Sequence, residues 1–220
     1  MSLRALFLGL MAALALTAAP ALSAELPGFG NSEGEPIGET WTPPEGIELS
    51  AVIESYNPFD PDACKRPDEE TPETPPEELG LKGGLVRVCL NFRNTTREPI
   101  NVELPPGLIV VSESRDTQHG MIVQKLNLEI PAEQDLYAPI KADCMNGSRS
   151  APGIGNPYRM GPVTQHETIQ EALRLLADRD LSDPLDAAIA SSLLKPLYLG
   201  KALTQDARDQ IADLPARAPT

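Results

Sequence analysis

The sequence predicts a mainly β fold with some α structure: an antiparallel β-sandwich followed by a small C-terminal helical segment. Two observations carry that expectation. Between Leu85 and Cys144 apolar and polar residues alternate in short runs, each closed by Asn, Thr, Pro or Gly, as in half-buried antiparallel strands. After Thr164 the spacing of apolar residues changes to that of amphipathic helices. The strand runs follow one another too closely for crossover helices, which argues against a parallel α/β sheet.

The first strand is expected within Glu48–Tyr56. In Leu85–Arg93 the apolar set Val86, Val88, Leu90 and Phe92 takes the even positions. Asn94–Arg97 forms a polar turn, and Ile100, Val102 and Leu104 line the next strand, which Pro105, Pro106 and Gly107 stop. Leu108–Val111 is apolar throughout, as for a strand buried on both sides or at a sheet crossover. Ile122, Leu126, Leu128 and Ile130 form one face of a further strand. Leu136, Ala138, Ile140 and Ala142 form one face of the last, which ends near Cys144. Met145–Gly161, rich in Gly, Ser, Asn and Pro, reads as a loop. Thr164 and Glu167 have capping-box spacing, followed by Ile169, Ala172, Leu173 and Leu176 on one helix face. Ser182, Asp183 and Pro184 open a second helix with Leu185, Ala188, Ile189, Leu193 and Leu197 on its apolar side, ended by Pro196 and Gly200. Thr204 caps a third through Asp213.

The start of the chain reads as an export signal. Arg4 precedes the apolar run LFLGLMAALALTAAPAL, and small residues follow at Ala21, Ser23 and Ala24. The expected organisation is a signal peptide over 1–24, a flexible Pro/Gly-rich lead-in over 25–47, and the sandwich over 48–147. Loop and helices follow over 148–214, and a tail over 215–220. Export implies a periplasmic or secreted protein with no stable membrane span once the signal is removed. Without the signal, 17 basic side chains face 32 acidic ones, a net charge of −15. That excess of acids argues against nucleic acid as a partner, which needs clustered Lys and Arg.

Within the sandwich, Asn57–Gly80 interrupts every pattern. It holds Pro58, Pro61, Pro67, Pro72, Pro75 and Pro76 with eight acids against two bases, so it is expected as a long acidic loop. It also holds the first of three cysteines, Cys64, Cys89 and Cys144. Cys89 lies on the odd, outer face of its strand and Cys144 shares the even, core parity of Ile140 and Ala142. Opposite faces of one sheet cannot be bridged, so the favoured pair is Cys64–Cys89, with Cys144 a buried thiol. Cys89–Cys144 remains the alternative if the two strands lie in opposing sheets.

No catalytic, cofactor-binding or metal site emerges. His119 and His166 lack zinc-motif spacing, and the Asp60-x-Asp62 pair lacks the remaining ligands of an EF-hand calcium loop. Ser148 and Ser150 lie in a loop without a neighbouring base or a nucleophile elbow. The functional expectation is an exported, non-enzymatic binding or envelope-structural module, contacting another envelope protein through loops 57–80, 112–120 and 145–161 or the helices. The alternatives are an envelope hydrolase and a calcium-stabilised adhesion module.

The run Leu90-x-Phe92-x-Asn94-Thr95-Thr96-x-x-Pro99-Ile100-x-Val102-x-Leu104-Pro105-x-Gly107 resembles a strand–turn–strand of exported immunoglobulin-like or fibronectin-like domains. That resemblance implies an immunoglobulin-like form of sandwich over at most residues 48–144. The family's Cys…Trp…Cys order is absent, since Trp41 precedes all three cysteines.

Overall fold

The alternation in Val86–Asn94 produces a strand with Val86, Val88, Leu90 and Phe92 fully buried on one face and Arg87, Cys89, Asn91 and Arg93 on the other. The computed structural model describes residues 26–74 and 77–218; the expected signal peptide at 1–24 lies outside them. The strands are β1 (Gly38–Thr40), β2 (Ile47–Leu49), β3 (Ile53–Ser55), β4 (Leu79–Gly80), β5 (Val86–Asn94), β6 (Ile100–Leu104), β7 (Leu108–Ser112), β8 (Gly120–Met121), β9 (Leu126–Ile130), β10 (Asp135–Cys144) and β11 (Pro157–Thr164). The helices are α1 (Glu167–Leu176), α2 (Pro184–Tyr198) and α3 (Gln205–Asp213).

These strands close on themselves. The order β5–β3–β11–β7–β8–β10 returns to β5 through a long antiparallel pairing that sets Leu136 opposite Phe92 and Ala142 opposite Val86. The β structure is therefore a closed six-stranded antiparallel barrel with extra strands. It is not the expected immunoglobulin-like sandwich of two sheets. The strand that makes the difference is β11, which pairs with β3, β7 and β1. Its stretch was expected mostly as loop, because Pro157, Gly161 and Pro162 punctuate it. The register shift between Met160 and Val163 absorbs those residues as an irregularity of the strand.

Side chains fill the barrel. Val88, Leu90, Phe92, Leu108, Val110, Ile140 and Tyr158 belong to one buried cluster, leaving a packed interior in place of a ligand cavity. The separate pair β6–β9 adds Val102, Leu104, Leu128 and Ile130 to that cluster. Of the expected strand through Ile122–Ile130 only Leu126–Ile130 forms one, β9 in the small sheet, while β8 in the barrel ends just before it at Met121. Likewise, the expected strand at 48–56 is divided into β2 and β3. Gly120 sits where a Cβ would come within 2.7 Å of Ala142 and 2.9 Å of Val86. Only glycine lets β8 approach so closely.

The apolar run in β7 faces two cores. Leu108 and Val110 point into the barrel, while Ile109 and Val111 meet the helices outside it. That outer core also contains Met121, Val123, Ile169, Leu173, Leu176, Leu194, Leu197 and Tyr198. In α1 the buried residues are Ile169, Ala172, Leu173 and Leu176, as the periodicity indicates. In α2 they are Ala187, Ala190, Leu194, Leu197 and Tyr198, while Leu185 is exposed. That face is rotated from the expected one, and Pro196 lies inside the helix.

Asp183 caps α2 and Thr204 caps α3 through their side-chain oxygens. The capping box expected at Thr164 does not form. Thr164 ends β11, and α1 starts from His166 without a side-chain cap bond. The 25–47 stretch, expected as a flexible lead-in, is built into the fold at several points: Leu26 and Phe29 join the outer core beside the helices, and Gly38–Thr40 pairs with β11. Trp41 packs on the barrel cluster and donates its indole N–H to the Glu103 carbonyl at 3.2 Å.

Candidate binding surface

Three polar assemblies decorate this scaffold. The first fastens the acidic loop to the outer wall. Arg87 on β5 and Lys141 on β10 are register partners, so the wall presents two cations side by side. Glu78, near the end of the loop, answers both. Its carboxylate accepts from Arg87 Nε at 2.9 Å, Lys141 Nζ at 2.5 Å and the Tyr56 hydroxyl at 2.7 Å. Burial alone would raise the Glu78 pKa, but the hydrogen bonds from Lys141 and Tyr56 outweigh it and hold the carboxyl below its ordinary range. Tyr56, just before the loop, is pushed up by burial and by Glu78.

Between these ends the Cys64–Cys89 disulfide ties the loop to β5, with Cα atoms 5.4 Å apart. The alternative Cys89–Cys144 bridge is excluded by register. Cys89 faces Pro139 across the β5–β10 pair, and Cys144 is a free, partly buried cysteine farther along the same strand. Burial and the neighbouring Asp143 push its thiol up. Cys64 adopts φ 55°, the left-handed region that costs non-glycine residues about 1–2 kcal/mol. The two loop cations are used locally, Lys65 with Asp62 at 3.1 Å and Arg66 with Glu69 at 3.5 Å. Asp68, Glu70, Glu73, Glu77 and Phe59 point to solvent, Phe59 with 87% of its surface free. The loop is therefore a strap: tied at Cys64 and at Glu78, where Tyr56 also bonds, and acidic on its outside. Asp62 accepts from Thr71 at 2.5 Å and pairs with Lys65. Among the described residues no group of three or more His, Cys, Asp or Glu is placed to hold a metal ion.

The second assembly joins loops 112–120 and 145–161. Thr117 and Ser150 form an isolated bridge, Gln118 N–H donates to the Ser150 carbonyl at 3.0 Å, and Ser150 N–H donates to the Asp116 carbonyl at 2.8 Å. His119, 4% exposed, sits beneath this junction. Its Nδ1 accepts from Ser112 N–H at 3.0 Å, and its Nε2 lies 3.0 Å from Arg149 Nη1. Its backbone N–H donates to Asn146, whose amide in turn donates to the Gly28 carbonyl at 3.0 Å. Ser148 and Ser150 are exposed and their hydroxyls make no hydrogen bond to His119 among the described residues. The hydrolase candidates are thus gathered at one end of the barrel without forming a Ser–His pair. His166 stands apart, at the start of α1.

Burial, then Arg149 and Arg159, lower the His119 pKa to about 4 from its ordinary 6.5. Between those values the unfolded chain takes up a proton that the folded chain refuses. Stability is therefore full above pH 6.5, falls as pH drops toward 4, and levels off below it with respect to this group. The expected loss is about 2–3 kcal/mol. Urea unfolding at pH 7 and pH 4.5 measures it, and a His119→Gln variant is expected to remove that part of the slope.

The third assembly, which periodicity alone did not reveal, pins α2 to β10. Asp143, 2% exposed, accepts from Ser191 Oγ at 2.5 Å, Lys195 Nζ at 2.9 Å and Tyr198 Oη at 2.7 Å. Lys195 also donates to the Cys144 carbonyl at 2.6 Å and lies 5.3 Å from the Tyr198 ring centroid. The available signal was the polar spacing Ser191, Lys195, Tyr198, which puts three donors on one side of an otherwise apolar helix.

Among the described residues no helix is long and apolar enough to cross a membrane. That and the disulfide are compatible with an exported protein. Comparison with known protein families, with curated proteins and with solved structures finds no match.

Proposed function

We propose that this chain is an exported, non-enzymatic binding or envelope-structural module, periplasmic or secreted, whose main contact surface is the acidic strap. The observation that supports this most is the fastening of the strap at Cys64 and at Glu78, the latter held by Tyr56, Arg87 and Lys141, with Phe59 and four carboxylates left outward. A loop already ordered before contact loses less conformational entropy when it binds. An acidic face with an exposed aromatic favours a partner whose surface is basic and carries an apolar recess. The packed barrel supplies rigidity and leaves recognition to its loops.

The test is cross-linking in the native envelope, comparing the wild-type chain with a variant carrying Phe59→Ser, Asp68→Asn, Glu70→Gln and Glu73→Gln. These side chains are exposed, so the melting temperature is expected to stay within a few degrees. Loss of a discrete cross-linked species is the expected result. An unchanged pattern from an equally folded variant would remove the strap as contact surface.

A further inference from the structure

The contact between Arg149 and His119 is one that neither group can satisfy. A neutral imidazole has one nitrogen lone pair, and two donors compete for it, Ser112 N–H at Nδ1 and Arg149 Nη1–H at Nε2, each 3.0 Å away. When Nδ1 accepts from the backbone, the ring proton sits on Nε2 and points at the guanidinium. Moving the proton to Nδ1 transfers the conflict to Ser112, and a charged ring donates from both nitrogens. In every protonation state the contact between ring and Nη1 is one acceptor short, although Arg149 Nη2 donates to the Ser32 carbonyl at 3.0 Å.

A second observation concerns charge. Neither Arg149 nor Arg115 has an ion-pair partner among the described residues, although the chain carries 32 acidic and only 18 basic side chains. Both arginines line one open cleft of about 640 Å³, together with Asn31, Ser148 and Ser150 as further hydrogen-bonding groups. Glu33 and Asp116 line it too. Two cations against two anions leave the cleft near neutrality, which suits a small, singly charged ligand over a dianion.

We propose that this cleft binds a carboxylate, which accepts from Arg149 and Arg115 and draws the Arg149 guanidinium off the His119 ring. Arg–carboxylate pairing supplies Nη1 with the acceptor that the His119 ring cannot be, Nη2 being already served by the Ser32 carbonyl at 3.0 Å, and His119 is left with the single donor, Ser112 N–H, that its lone pair can serve. The proposal rests on reading the joined loops as a contact face and does not depend on the strap, so its failure beside intact strap cross-links removes this site alone.

The test is titration of the purified protein with sodium acetate, followed by NMR of the His119 ring and the Arg149 side chain. Inorganic phosphate and sodium chloride at matched ionic strength are the comparison arms. Acetate is expected to give saturable shifts in the millimolar range and to raise the His119 pKa, because a bound anion offsets the Arg149 charge. Arg159, the other cation acting on the ring, would be unchanged. Arg149→Gln and the exposed Arg115→Gln are each expected to weaken acetate about tenfold or more, and the second variant keeps the test intact if the first folds poorly. Shifts that fail to saturate, that match those with chloride, that persist in Arg115→Gln, or that appear more tightly with phosphate would overturn the proposal.

Discussion

Replacing Cys64 and Cys89 together by serine is expected to destabilise the protein by about 3.5 kcal/mol, the chain-entropy value for cysteines 25 residues apart. The strap has few other ties along its middle. Its internal contacts are solvent-exposed pairs such as Arg66–Glu69, which contribute little. Without the bridge, the ties among the described residues lie at its far end, where Glu78 meets Tyr56, Arg87 and Lys141 and Leu79–Gly80 pairs with β10. Urea unfolding under oxidising conditions measures the cost. Trypsin supplies the local readout, since cleavage after Lys65 is expected to rise sharply in the double variant. A stability change below about 1 kcal/mol with unaltered cleavage would show that the strap is held by other means.

Asp143→Ala is expected to cost about 3 kcal/mol, toward the lower end of the range for breaking a buried ion pair. The reason lies in how unequally its three partners are placed. The Lys195 side chain is 43% exposed and regains water when the carboxylate is removed. The Tyr198 hydroxyl belongs to a residue only 2% exposed and loses the one acceptor it has among the described residues. Tyr198→Phe is accordingly expected to cost about 1 kcal/mol, and Lys195→Met less. Asp143→Asn, which keeps one acceptor oxygen, is expected to fall between wild type and alanine. Equilibrium unfolding of the four variants gives the ranking. A Lys195→Met cost exceeding that of Asp143→Ala would contradict the assignment of Asp143 as the hub.

Much of this architecture was legible because it rests on strict periodicity. The two-residue repeat in Val86–Asn94 placed Cys89 outward, and that parity alone directed it to Cys64. The four buried residues of α1 follow just as directly from helical spacing. What was illegible depended on long-range closure. A sandwich and a barrel share the same alternating strands, and they differ in whether the last strand finds the first. Here the closing strand, β11, contains two prolines and a glycine, so local chemistry concealed it. The α2 face was misplaced for a different reason. Its residues are apolar on most sides, and the choice was made by the tertiary pull of Asp143 on Ser191, Lys195 and Tyr198. Thr164 likewise had the spacing of a helix cap, yet pairing with β1 claimed it for the sheet.

The candidate surface was half visible. Composition marked the acidic loop and parity marked its anchor. The Tyr56–Glu78–Arg87–Lys141 cluster requires β3, β4, β5 and β10 to meet, which no local pattern encodes. The His119–Arg149 contact spans loops 30 residues apart and was equally hidden.

The most direct test of the strap as a contact surface places a photo-activatable cross-linking residue at Phe59 in the native envelope, with the exposed Asp209 of α3 as the control position. A discrete partner captured from position 59, absent from position 209 and lost when Cys64 and Cys89 are both serine, is the predicted result. The same products from both positions, or products indifferent to the disulfide, would contradict it.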